Sequence, residues 1–310
     1  MGTRSIRLGG VVLALALLLG ACGDGNHGPV CDDTGSCAGS GEGSGRGSGN
    51  GSGGGNGNGN GSGGGGSGGS AQAESIDSSA DIAKVAQNFG FVLAPFDPAT
   101  GMAGDLKITG TRPPVVPSSD PNAAGMNAAN RYIMWPFGMT EFSGGGGVDV
   151  QATYFLPLGT PIISMVTGTV CDVPKLYSDD YSVRVAPDGV TCEQEGRAAV
   201  LFETEHVIDP IVKVGDRVTA GQRVATVGTY RKDWTANGLG IVEIGVAFMK
   251  KGSDRPWHAC PSLALDPKIA PTLLADLSNA NTAWAKELGD DSLYTGDAMP
   301  GCRITTDVTD

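Results

Sequence analysis

Apolar residues recur at nearly every second position through much of the stretch from Tyr132 to Phe248, in short runs separated by Gly, Asp and Pro. A period of two sends successive side chains to opposite faces of an extended chain, so this region is predicted to form strands of a sheet buried on one side. The clearest instance begins at His206. A strand leads to a Gly215-Asp216 turn, a second to a Gly221-Gln222 turn, and a third follows over Val224–Val227, with valines recurring on one face. Two flanking segments change to a helical period. Ser78-Ser-Ala-Asp81 has the spacing of a capping box, and Ile82, Val85, Ala86 and Phe89 then share one helical face before Gly90. Pro271 suits the first turn of a second helix, whose Leu273, Leu274, Leu277, Trp284 and Leu288 keep helical spacing as far as Gly289. Residues 91–130, rich in Pro and Gly, are predicted to be mostly loop.

The N-terminus follows another pattern. Arg4 and Arg7 precede an apolar core, Val11 to Leu19, that is too short to span a bilayer. Leu19-Gly20-Ala21-Cys22 then resembles a bacterial lipobox, in which small residues admit the chain to a peptidase and the cysteine thiol accepts lipid. The expected organisation is a signal peptide over 1–21, a lipidated Cys22 with a Gly/Ser/Asn-rich tether over 22–74, and one folded domain over 75–310. Residues of the tether type cannot bury a core, so the tether is expected to hold the domain away from its membrane. The protein is expected to be anchored only by its N-terminal lipid, in the periplasm or at the cell surface. Gly23 lacks the acidic character of an inner-membrane retention signal, which favours the outer membrane.

Cysteine usage fits an oxidising compartment. With Cys22 lipidated, Cys31, Cys37, Cys171, Cys192, Cys260 and Cys302 remain, an even number with no Cys-x-x-Cys spacing. Proximity favours Cys31–Cys37 and a Cys171–Cys192 bridge across a hairpin, leaving Cys260–Cys302 to fasten the C-terminal tail. The formal charge is −12, and no basic run interrupts it, which argues against nucleic acid as a partner.

Several motifs, in order, resemble the lysostaphin-type (LytM-like) metallopeptidase family. Trp135-Pro136 resembles the start of its first strand, and Gly147-Val148-Asp149-Val150 the end of its His-x-Gly-x-Asp motif. Gly159-Thr160-Pro161-Ile162-Ile163-Ser164 and Gly168-Thr169-Val170 resemble the next strand pair. Glu205-His206-Val207 stands where the family has Tyr-x-His-Leu, at the family's distance from Val212-Lys213-Val214-Gly215-Asp216. Glu243-Ile244-Gly245-Val246-Ala247-Phe248 stands where it has His-Leu-His-Phe-Glu-Val. The resemblance implies a mainly β domain of barrel-sandwich hybrid type with flanking N- and C-terminal helices. Carrier domains share such turns but display a lysine at a hairpin tip, and Met249-Lys250-Lys251 comes after the hairpins instead.

The departures govern function. The family holds zinc through the first motif's histidine and aspartate and the last motif's second histidine. Here those positions carry Gly145, Asp149 and Gly245, so Asp149 alone is retained. Of the two auxiliary histidines, His206 is present and its partner position carries Glu243. Glycine has no donor, and one carboxylate does not hold zinc firmly enough to activate a water. No cofactor is therefore expected. The resemblance implies a non-catalytic envelope protein that binds peptidoglycan or regulates wall hydrolases through a groove at Asp149, His206 and Glu243. The alternative is an active zinc endopeptidase acting on peptidoglycan, with a ligand set rebuilt from those three residues and His206 and Glu243 as its catalytic candidates. His258, beyond the last predicted strand, reads as a structural loop histidine, and His27 lies in the tether.

Overall fold

The alternating segments become strands where the pattern places them. A computed structural model describes residues 75–141, 147–193 and 196–309. The leader, the tether, His27, Cys22, Cys31, Cys37 and Gly145 lie outside the described residues. In chain order the elements are β1 (Met102–Ala103), β2 (Leu106–Lys107), α1 (Ala123–Ala129), β3 (Met134–Trp135), β4 (Ala152–Pro157), β5 (Pro161–Ile163) and β6 (Gly168–Asp172). Then come β7 (Tyr181–Pro187), β8 (Val200–Ile208), β9 (Arg217–Val218), β10 (Arg223–Val227), α2 (Lys232–Thr235), β11 (Leu239–Met249), β12 (Pro256–His258), α3 (Ala270–Leu288) and β13 (Val308–Thr309).

The fold is mainly β. One antiparallel sheet runs β13-β12-β11-β8-β7-β6-β9, and β3, β4, β5 and β10 join it off that path. The long strand β11 organises it. One edge of β11 pairs with β8, from Glu243↔Glu205 to Phe248↔Val200. The other pairs with β4 over Leu239–Ile244 and with β12 over Ala247–Met249, so Gly245 faces the gap between β4 and β12. Tyr154, Phe155, Ile241, Val242, Ile244 and Val246 are fully buried in the main core. There Phe155 stacks on Trp234 at 4.5 Å between ring centres, with Trp135 edge-on to it at 5.2 Å. Two fully buried tryptophans keep their polar ends satisfied: Trp234 donates to the Asn130 side chain (3.1 Å) and Trp284 to the Arg131 carbonyl (2.8 Å).

The C-terminal helix forms as its spacing predicts, with Leu277, Ala280 and Trp284 buried. It ends at Gly289, whose φ of 68° supplies the left-handed cap. The N-terminal helix predicted after Ser78 does not form. The capping box is present, with the Asp81 carboxylate accepting the Ser78 N–H at 3.2 Å, but it closes only a 3-10 turn over Ser79–Asp81. The chain then runs extended past Leu265. Ala86 donates to the Ala264 carbonyl (3.0 Å) and accepts from the Asp266 N–H (2.9 Å). Ile82, Ala86 and Phe89 are still buried. Their spacing reported burial, and backbone partners on the 264–266 segment decided the conformation. The helical flank before the sheet is α1 instead.

Cys171–Cys192 and Cys260–Cys302 are both bridged, as the spacing predicts. The second bridge holds the tail beside Phe137, whose carbonyl accepts the Arg303 N–H at 2.8 Å. No helix among the described residues is long and apolar enough to cross a membrane.

Candidate functional site

Residues directly opposite in neighbouring strands project to the same side of a sheet. Through β11 the even-numbered Val242, Ile244, Val246 and Phe248 enter the core. Glu243, Gly245 and Ala247 take the opposite face, beside Glu205, Glu203 and Leu201 of β8. Arg184 of β7 is registered with Glu203, and Asp172 of β6 with Arg184. A band of charge therefore crosses four strands. At one end lies a small apolar patch of Leu201, Ala247, Ala186, Ala198 and Cys171.

His206 reaches this face only through a bulge. Three residues of β7, from Tyr181 to Val183, oppose four of β8, from Val207 to Thr204. Strict alternation would send Val207 outward with Glu203 and Glu205. The extra residue lets Val207 enter the core and turns His206 out of it. His206 pays with a φ of 55°, a region a histidine tolerates better than a β-branched residue does. The joint is tight: a Cβ at Gly228 would lie 1.9 Å from the His206 carbonyl oxygen. Here β8 exchanges β11 for β10, which pairs through Val227↔Val207.

The imidazole is held on every side. Nδ1 lies 2.9 Å from the Asp180 carboxylate and 3.3 Å from the Ser178 hydroxyl, and the ring stacks on Tyr230 at 4.2 Å with only 5° between planes. With Nδ1 turned to Asp180, Nε2 faces Glu243, 3.6 Å away. Burial pushes the Glu243 carboxyl up, and the negative charge of Asp149 pushes it further, against the opposing influence of His206. Burial also raises Asp149, although its carboxylate accepts the Gln151 N–H (3.2 Å) and the Thr153 hydroxyl (3.5 Å). The structure thus brings Asp149, His206 and Glu243 into one electrostatic group.

Next to that group the Arg184 guanidinium is divided among three carboxylates: Glu203 at 2.9 Å, Glu205 at 3.3 Å and Asp172 at 3.4 Å. Burial opposes its charge, and the carboxylates more than compensate, raising its pKa. Gln151 lies over Gly245 with its amide 3.5 Å from Glu203. A Cβ at Gly245 would stand 2.9 Å from Gln151 Nε2 and 3.2 Å from Glu203 Oε2. The position that aligns with the family's last zinc ligand therefore has no donor, and a side chain there would have to displace the end of Gln151. Among the described residues, no group of three or more His, Cys, Asp or Glu is arranged to hold a metal ion. These side chains do not fit a three-ligand zinc site.

His258 is not in a loop. It belongs to β12, opposite Ala247, and lines the cavity at this end of the groove. Sequence reasoning did not select Gln151, Asp180, Arg184, Glu203, Tyr177 or Tyr230. The alternating acids in Glu203-Thr204-Glu205 signal a polar face on β8. Nothing local marks Asp180 or Tyr230, which reach His206 only through the fold.

No family description and no curated protein matches this chain. Among solved structures it is similar to lysostaphin in solution, at 19% identity over 39% of this chain and 44% of that one, with a TM-score of 0.30. Similar values hold for the catalytic domain of lysostaphin from Staphylococcus simulans: 19% identity, 39% of this chain, 83% of that one, TM-score 0.29. For the catalytic domain of the prophage-encoded M23 protein EnpA from Enterococcus faecalis they are 21%, 41%, 85% and 0.28. The chain thus spans less than half the length of the whole lysostaphin chain it matches. Superposition at this level does not assign a family or an activity.

Proposed function

We propose that the protein is a non-catalytic recognition module of the bacterial envelope, with a groove that binds peptidoglycan and a lipid on Cys22 that tethers it to the membrane. The support is the ordered set of lysostaphin-type motifs together with one observation: Gly245 offers no donor, and the Gln151 side chain and the ion-paired Glu203 lie against it. A site that has filled its metal position with a glutamine and an ion-paired glutamate is organised to contact a ligand, not to activate water. Asp149 and His206, with Glu243 in place of the second auxiliary histidine, then serve as polar walls of the groove. A second reading, a zinc endopeptidase using those three residues, draws on the 3.6 Å approach of His206 to Glu243. Metal analysis and wall assays on the purified full-length protein separate the two. We expect well under one zinc per chain, no release of fragments from peptidoglycan, and co-sedimentation with it. Stoichiometric zinc lost on mutating Asp149, His206 or Glu243, with chelator-sensitive cleavage, would establish the endopeptidase. Binding to a wall hydrolase but not to the wall would replace the ligand with a protein partner.

A further inference from the structure

The C-terminal tail packs along α3 and encloses a cavity that shares no residue with the groove. Ser278, Asn281 and Thr282 of the helix line it with Leu293, Asp297 and Met299 of the tail, around about 480 Å³. Small-molecule sites span about 300–1,000 Å³, so the size fits a ligand. The tail wall is fixed from behind. The Cys260–Cys302 bridge anchors it, Ser262 Oγ donates to the Pro300 carbonyl (2.7 Å), and the Tyr294 hydroxyl accepts the Met134 N–H (3.3 Å). Inside, the Asp297 side chain is 6% exposed, and neither of its buried oxygens accepts a hydrogen bond among the described residues. Oδ1 lies 3.0 Å from the Arg303 guanidinium, an ion pair that matches its charge, and Oδ2 is left without a donor. From the helix wall comes Asn281, a residue also 6% exposed, whose side-chain amide bonds to no described residue. A buried acceptor without a donor is costly unless something fills the space beside it.

We infer that this cavity binds a neutral pyranose sugar, with Asp297 Oδ2 accepting from one ring hydroxyl and the Asn281 amide bonding to another. The lining carries two aspartates, Asp291 and Asp297, and no Lys, Arg or His, so an anion would meet like charge. Arg303 already matches the charge of Asp297, and what remains unmet is a donor, not a cation. Among the described residues no group of three or more His, Cys, Asp or Glu is arranged for a metal ion here either. Sugar hydroxyls both donate and accept, which suits an acceptor-only carboxylate beside an amide that does both. Leu293 and Met299 give the C–H face of the ring an apolar surface. The occupant of this cavity is independent of the groove's ligand, so failure here leaves the proposed function standing.

Calorimetry on the purified full-length protein tests this with the methyl glycosides of glucose, galactose, mannose and N-acetylglucosamine. We expect at least one to bind with a Kd on the order of 1 mM, as a single sugar held by a few hydrogen bonds does. Asp297→Asn should weaken that binding about tenfold, because a hydrogen bond to a charged group is lost. Asn281→Ala should weaken it about fivefold, with circular dichroism unchanged, and decides the matter alone if the Asp297 variant does not fold. Competition by peptide-free glycan strands would assign the sugar to a wall polymer, and indifference to them to a free sugar; the site stands in both cases. No binding of any neutral glycoside at about 20 mM overturns the inference and leaves water as the occupant. Binding that Asn281→Ala does not weaken puts the sugar elsewhere and overturns it as well. Binding of glucosamine without binding of any neutral glycoside overturns the neutral class.

Discussion

Replacing Glu243 with Gln keeps the shape of the side chain and removes its charge, so it isolates the cost of ionising a carboxylate in this groove. In the folded protein that carboxyl is pushed from 4.5 to about 8, by burial first and by Asp149 second. Between those pH values the native state keeps a proton that the unfolded chain has released. Fewer protons are then bound in the unfolded state, so stability falls as pH rises through this window. At about 1.36 kcal/mol per unit the full shift is worth close to 5 kcal/mol. Water reaches the 18%-exposed side chain, and its titration is coupled to that of Asp149, so about 2 kcal/mol is the expected share. Urea unfolding followed by tryptophan fluorescence should therefore show Glu243→Gln more stable than the parent by about 2 kcal/mol at pH 8.5, and equal to it within about 0.5 kcal/mol at pH 4. The opposite outcome is specific. Were an ionised Glu243 held by a protonated His206 across their 3.6 Å separation, the variant would be less stable at neutral pH, and the account given of this groove would fail.

The two bridges close loops of different length and should differ in worth. Removing Cys260–Cys302, with a separation of 42, is expected to cost about 4 kcal/mol, and removing Cys171–Cys192, with a separation of 21, about 3 kcal/mol; an unchanged urea midpoint after either double serine substitution would contradict this. Cys22→Ser should leave an unprocessed, unlipidated precursor that no longer partitions with membranes, and acylation of that variant detected by mass spectrometry would refute the proposed anchor.

Period and turn chemistry made the strands legible. After His206 the strand β8 stops at Ile208 and residues 209–216 carry no strand, with Ile211 and Val214 exposed, whereas β9 and β10 form on either side of the Gly221-Gln222 turn as the alternation predicts. Helix α3 was legible because Pro271 and Gly289 mark its ends as clearly as its leucines mark its face. The segment from Ile82 to Phe89 misled because burial has no period of its own. Four apolar residues can satisfy a helix or an extended chain equally, and only a partner 180 residues away selects between them. At the groove, Asp149, His206 and Glu243 were visible through motif order. The bulge that turns His206 off the core face, the Asp180 and Tyr230 that hold it, and the Gln151 over Gly245 were not. Each arises where strands distant in sequence meet, and none changes the local pattern.

The contacts around Gly245 also bear on how such a groove could change over generations. A histidine placed there alone would press its Cβ against Gln151 and Glu203, and Glu203 would in turn release Arg184 from its closest carboxylate. Shrinking Gln151 first would strip Glu203 of its amide neighbour without yet supplying a metal ligand. The substitutions are coupled through contact, so their effects do not add, and each single step leads through a less well packed protein than either end point. A single substitution at Gly245 is therefore expected to be felt at Gln151 and Glu203 as well. Change at Tyr177, 85% exposed, is easier than at Tyr230, whose ring stacks on the buried His206.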